Sequence, residues 1–303
     1  VSKEASSKKR NFQERGMVWG LHREMYAGVL AAGLSFLLQA ANQKVTQGFL
    51  KYSAFQGQTA NRVVETAAAM DAITFGTQSE TQPLLNRIGK LHQHIEDRDA
   101  SLMNEDSRLW VGLSFIYAIA TVNSTFLHFM KPSHLEGYYA RARDGYLPLF
   151  GVDPDKAPRT FKQMQLFLQD EIRSGKVAVS QQAKEVIAPA VLFQEPLQMP
   201  SDTPIVSRVP RVWGKVSSKP RDFSHVSYPY IKATTGLLFP ELRDQYGLSW
   251  TPIDEGVFKG ASVISRLGYP LISDIIPPFI RYSPGFNKAR KELANSAMVY
   301  STR

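Results

Sequence analysis

Two groups of side chains in this sequence have types and spacings that could do chemistry. The first is the histidine pair in the run RIGKLHQHI, His92 and His94. Successive helical residues are turned by 100°, so the two rings leave the helix in different directions. The apolar stripe made by Leu84, Leu85, Ile88, Leu91 and Ile95 marks the inner face of that helix. His92 falls roughly 50° from its centre and His94 roughly 110° away. His92 is therefore predicted to face the core and His94 the surface. A core imidazole is either a satisfied core residue or, inside a helical bundle, an axial haem ligand.

The second group is Arg62-Val63-Val64-Glu65-Thr66. Arg62 and Thr66 are four residues apart and share a helix face, with Glu65 flanking it. Read plainly, this is a surface ion pair. The surrounding helix is otherwise Ala, Val and Met, however, which puts the arginine in an apolar face. A buried guanidinium needs a partner, and a haem propionate or bound dioxygen would serve.

Other chemistries are excluded by what the chain lacks. It has no cysteine, hence no thiolate nucleophile, Cys-ligated zinc or iron–sulfur centre. It has no GxGxxG, P-loop, HExxH, GxSxG or EF-hand loop. The cluster Glu96-Asp97-Arg98-Asp99 reads as a solvated helix end. Of the other histidines, His22 sits beside Arg23-Glu24 at a helix entry and His128 and His134 flank Lys131-Pro132 at a helix end. His225 lies in an irregular stretch, and none of the four is assigned chemistry.

The elements that must position these residues read as helical throughout the first two-thirds. Met25–Ala41 and Leu109–Val122 are almost wholly apolar. The first is at the lower limit of a membrane span and the second is shorter, so both are predicted to be buried helices. Residues 60–75 are Ala-rich and stop at Gly76, and 81–98 carries the histidine stripe. Residues 159–173 and 178–194 add two more helical stretches, separated at Gly175. Prolines then concentrate between 196 and 278, which predicts a long surface excursion followed by short C-terminal helices. Strand alternation is scarce. The expected fold class is all-α, a helical bundle in one domain with a proline-rich C-terminal extension.

Charge sharpens the choice of partner. Lys and Arg number 36 against 27 Asp and Glu, a net charge of +9. Residues 1–15 hold five basic and two acidic side chains, and 281–303 five and one, so seven of the nine net charges sit at the two ends. A nucleic-acid reader carries its basic patch on the folded body. This body is nearly neutral, and no nucleic-acid partner is expected. The expected division is a basic N-terminal tail (1–22), a folded domain (23–281), which the resemblance described next makes haem-binding and oxygenase-like, and a basic C-terminal tail (282–303). Because the chain opens at Val1 rather than Met, it is expected to be a trimmed product whose basic N-terminus is either a solvated tail or a segment that meets a membrane surface.

Several segments in this order resemble the catalytic domain shared by the rubber oxygenases (latex-clearing proteins) and the fungal ER-bound oxygenases of the MpaB type. They are Arg23-Glu24 leading into LLQAANQ, Arg62 to Thr66 running on to Ile73–Gly76, RIGKLHQHI with His92, Trp110-Val111, and GLLFPELRDQYGLSW at Gly236–Trp250. The resemblance covers roughly Arg23 to Arg281. It implies a globin-like fold holding one haem b, with His92 as the iron ligand and Arg62 and Thr66 on the distal or cofactor-anchoring side. Two departures stand out. Asn42-Gln43 replaces the His-Pro of many relatives, and Glu65 replaces the lysine of the rubber oxygenases. The second departure argues against rubber as substrate and predicts an open or water-bound distal site.

The function this implies is a haem b-dependent oxygenase. It would use dioxygen to oxidise or cleave an apolar isoprenoid or polyketide-like small molecule in natural-product biosynthesis. His92 would be the metal ligand, Arg62 and Thr66 cofactor-binding and catalytic, and Glu65 the proton-handling residue. The competing expectations are a dehydratase, isomerase or cyclase on the same haem pocket, and a non-enzymatic helical haem-binding module. The expected location is membrane-associated, at the endoplasmic reticulum if an anchor precedes Val1, and otherwise cytoplasmic.

Overall fold

The computed structural model describes residues 16–52, 66–192 and 224–301. Among these residues regular structure is helical and no strand forms; Glu24 and Tyr282 make one isolated antiparallel bridge. In chain order the helices are α1 (Met17–His22), α2 (Met25–Ala41), α3 (Gln43–Tyr52), α4 (66–75), α5 (Gln78–Arg98), α6 (Glu105–Val122) and α7 (Pro132–Tyr146). After them come α8 (Phe161–Arg173), α9 (Ala188–Val191), α10 (Ser224–Leu237), α11 (Pro240–Tyr246), α12 (Pro252–Ile272), α13 (Pro278–Arg281) and α14 (Pro284–Ser301).

The centre is α2 against α6, the most extensive helix contact among the described residues. Both sequences are apolar on nearly every face, so each must be surrounded. Leu34, Leu37 and Leu38 of α2 and Leu113, Ile116 and Ala120 of α6 have no exposed surface. Counted with its π-turn extension to Leu127, α6 is long and apolar enough to cross a membrane, but 72% of its apolar window is buried inside the protein. It is a core helix here. Gly112 lets the 3-10 turn Leu147–Phe150 approach, since a Cβ there would sit 2.6 Å from Leu147.

The end of α2 shows how the core fixes the backbone. A helix leaves its last four carbonyls without intrahelical partners. In α2, Trp110 Nε1 donates to the Leu38 carbonyl at 2.8 Å, and just before these four Tyr246 adds a bond to that of Leu37 at 2.6 Å. The Asn42 N–H reaches the Gln39 carbonyl and the Thr46 hydroxyl that of Ala40. Asn42 is extended, and its Oδ1 accepts from the Lys44 and Val45 N–H groups, so one residue ends α2 and starts α3. The chain bends by 105° there.

Two expectations are corrected. The C-terminal third is not a run of short helices: α12 has 21 residues and α14 has 18. Pro240, Pro252, Pro278 and Pro284 each occupy the first position of a helix, where the missing N–H costs nothing. The proline-rich stretch 193–223 lies outside the described residues. The tails are also shorter than 1–22 and 282–303. Trp19 is in the core and donates to the Thr74 carbonyl at 3.0 Å, and Phe286 packs edge-on to Trp19 and Phe75.

Candidate functional site

α5 begins with a capping box in which Thr77 and Glu80 exchange bonds, and Glu80 also pairs with Lys288 of α14. Those contacts hold Glu80 down at about 2. The helix is amphipathic, but its apolar stripe is not sealed by protein. Only Thr81 and Ile95 are fully buried, while Leu84, Leu85, Ile88 and His92 are half-buried. His94 is exposed.

Leu91, His92 and Ile95 line a cavity of about 140 Å³. Its other walls are Gln39 at the end of α2; Lys44, Val45, Gly48, Phe49 and Tyr52 of α3; Leu102 and Met103 of the α5–α6 loop; Ser107, Arg108 and Val111 of α6; and Phe150. The 105° bend at Asn42 is what turns α3 across this space. Most of the walls are apolar, with one imidazole and two cations among them. Arg108 Nη2 donates to Glu96 at 2.7 Å, while its Nε is buried without a hydrogen-bond partner.

This donor set suits haem b: a single imidazole for iron, apolar walls for a macrocycle, and cations for carboxylate groups. The Arg108 Nε, buried without a hydrogen-bond partner, is a donor that a carboxylate group in the cavity would satisfy. The cavity is smaller than the roughly 300–1,000 Å³ of ordinary ligand pockets and would hold only part of a macrocycle. Tyr52, the last described residue before 53–65, is one of its walls. Among the described residues no three His, Asp or Glu side chains converge as a bare metal-ion site.

The other expected site residues stand apart. Arg62 and Glu65 lie outside the described residues. Thr66 opens the described part of α4, is half-buried and is not among the cavity walls. The far end of α4 is firmly anchored. The Gly285 N–H donates to Asp71 at 2.6 Å, and Thr74 shares a 2.7 Å hydrogen bond with Tyr146. Burial raises the Asp71 carboxyl, partly offset by the bonds from Ser283 and Gly285.

The sequence reading missed two features. Arg108 reads as an ordinary first-turn charge behind Glu105 and Asp106, and nothing local marks it as a cavity residue. His22 ends α1 rather than entering a helix, and it sits in a buried polar cluster. Its Nε2 lies 3.1 Å from the Tyr138 hydroxyl, with the Tyr146 hydroxyl 3.4 Å away and the Phe115 ring beside it. Burial pushes His22 down to about 3 and both tyrosines up, so all three are neutral at pH 7. Glu24 likewise has a structural role: fully buried, it takes three hydrogen bonds from Arg281 and ties the start of α2 to α13.

The family model "ER-bound oxygenase mpaB/B'/Rubber oxygenase, catalytic domain" matches residues 19–267. The chain belongs to this family. No curated protein and no solved structure matches it. The oxygenase-family match begins at Trp19 within α1 and ends at Leu267 within α12. Asn42-Gln43 falls at the α2–α3 junction, where Asn42 caps both helices. Glu65 lies outside the described residues.

Proposed function

We propose that this member of the oxygenase family is a haem b-dependent oxygenase acting on an apolar isoprenoid or polyketide-like small molecule in natural-product metabolism. The observation that carries the reading is the pairing of His92 with the unpartnered Arg108 Nε on one largely apolar cavity. When bound, haem b would supply the iron at which dioxygen is activated. His92 would hold that iron. Arg108, and Lys44 at the rim, would take its carboxylate groups, as charge-assisted bonds to guanidinium and ammonium do. Val45, Phe49, Leu102, Val111 and Phe150 would exclude water and favour an apolar substrate. Arg62 and Thr66 remain the proposed distal pair and Glu65 the proposed proton-handling residue. We also propose membrane association, supported by the family's ER-bound members and by the basic residues 1–15.

The test of the reaction class is turnover of candidate prenylated and polyketide substrates by hemin-loaded protein, with and without oxygen. Oxygen-dependent product formation is expected. Equal turnover under strict anaerobiosis would replace the oxygenase with a dehydratase, isomerase or cyclase.

A further inference from the structure

The outer face of α12 is apolar and has no partner among the described residues. Phe258, Ser262, Ser265 and Tyr269 point inward. Ser265 donates to the Phe126 carbonyl at 2.7 Å, and Phe258 packs edge-on to Phe126 and Trp250. On the opposite side Ile253, Val257, Ile264, Leu267 and Leu271 project within about 40° of one direction. Their exposures run from 58% at Leu267 to 80% at Leu271. Gly260 and Gly268 lie on the same side and meet nothing within 4 Å. The apolar surface continues past the helix end in Ile275 and Phe279, both exposed. Monomeric soluble proteins rarely display so continuous an apolar face without a use for it.

The charges around this face select its partner. Each nearby acid has a cationic neighbour within the chain: Asp254 has Lys232 at 2.7 Å, Glu255 has Lys259 at 3.1 Å, and Asp274 has Arg281, which it shares with Glu24, at 3.1 Å. On the inward side of α12, Arg266 stacks on the exposed Phe129 ring at 5.0 Å, and the exposed Lys131 follows in the same loop as Phe129. Among the described residues neither Arg266 nor Lys131 forms an ion pair. A broad apolar face that carries no charge, with an exposed aromatic ring and the exposed Lys131 in a neighbouring loop, complements an anionic lipid surface. The four charges of α12, all off this face, make it a helix that lies in an interface rather than one that crosses. A second copy of the chain fits less well. A helix seam wants charged flanks, whereas this face is flanked by Val263, Ala261 and Ile272.

We propose that α12, with Ile275, Phe279 and the Phe129–Lys131 loop, is a monotopic docking surface that inserts into the headgroup region of an anionic bilayer. This deepens the membrane association proposed above by naming the surface, and it does not depend on haem. The test is flotation of the full chain with phosphatidylcholine vesicles, with and without phosphatidylserine. The wild type is expected to float, more strongly with phosphatidylserine. The exposed pair Ile264→Glu and Leu271→Glu should keep the wild-type melting temperature and lose about 100-fold or more in partitioning. Lys131→Gln should reduce the preference for phosphatidylserine. As a readout independent of affinity, the fluorescence added by Leu271→Trp should be quenched by lipids brominated in their acyl chains.

Equal flotation of wild type and the double glutamate variant, with no quenching, would overturn the α12 assignment while leaving membrane association through residues 1–15 intact. No flotation of the wild type at all would overturn both. A wild-type dimer that the glutamate pair splits, without vesicle binding, would assign the face to a second copy instead.

Discussion

α5 and α6 are neighbours along the chain, yet they differ in how they are used. α6 buries twelve of its 18 residues against protein, whereas α5 buries only Thr81 and Ile95 out of 21. One helix is a piece of the core. The other turns a half-covered apolar stripe and an imidazole toward a cavity. Stability should therefore be concentrated on α6 and ligand recognition on α5, with Arg108, at the start of α6, belonging to both.

The largest expected effect lies on the core side. Trp110→Ala removes a buried aromatic ring and the donor to the Leu38 carbonyl. It should cost roughly 3–5 kcal/mol in urea unfolding. Leu91→Ala, at the edge of the α5 stripe, should cost less than about 1 kcal/mol. Equal costs would erase the distinction between the two helices.

Acid should strike the core side next. His22, against Phe115 of α6, has an ordinary unfolded value near 6.5 and a folded value of about 3. Between those values the unfolded chain binds the proton and the folded chain does not, so stability rises with pH there. The contribution is complete above about pH 6.5 and is lost as pH falls toward 3, by roughly a few kcal/mol. Urea unfolding across this range should show the slope, and His22→Asn should flatten it. The smallest effect belongs to the shared residue. Arg108→Met should leave the melting temperature within a few degrees and weaken hemin binding roughly tenfold, read by titration.

How much of this was legible in the sequence follows the same division. A helical period with its apolar stripe is a local signal, and it placed α5, α6 and the exposed His94 correctly. The C-terminal helices were hidden because proline was read as a loop marker, although at the first helical position it is a start signal. His22 and Arg108 were hidden for another reason. Their surroundings come from Tyr138, Tyr146 and Phe115 in one case and Glu96, Phe49 and Phe150 in the other, all distant in sequence. Periodicity reports which face of a helix is apolar; it does not report what that face meets. The α12 surface shows this most clearly, since an apolar arc there meets no part of the described chain.

The central claim is that the half-covered face of α5 holds haem through His92. The absorption spectrum of hemin-loaded protein, oxidised and then dithionite-reduced, tests it most directly when wild type and His92→Ala are compared. The account predicts a Soret band that shifts on reduction in the wild type, and its loss in His92→Ala at an unchanged melting temperature. A full Soret band in His92→Ala, or none in the wild type after hemin addition, would contradict it.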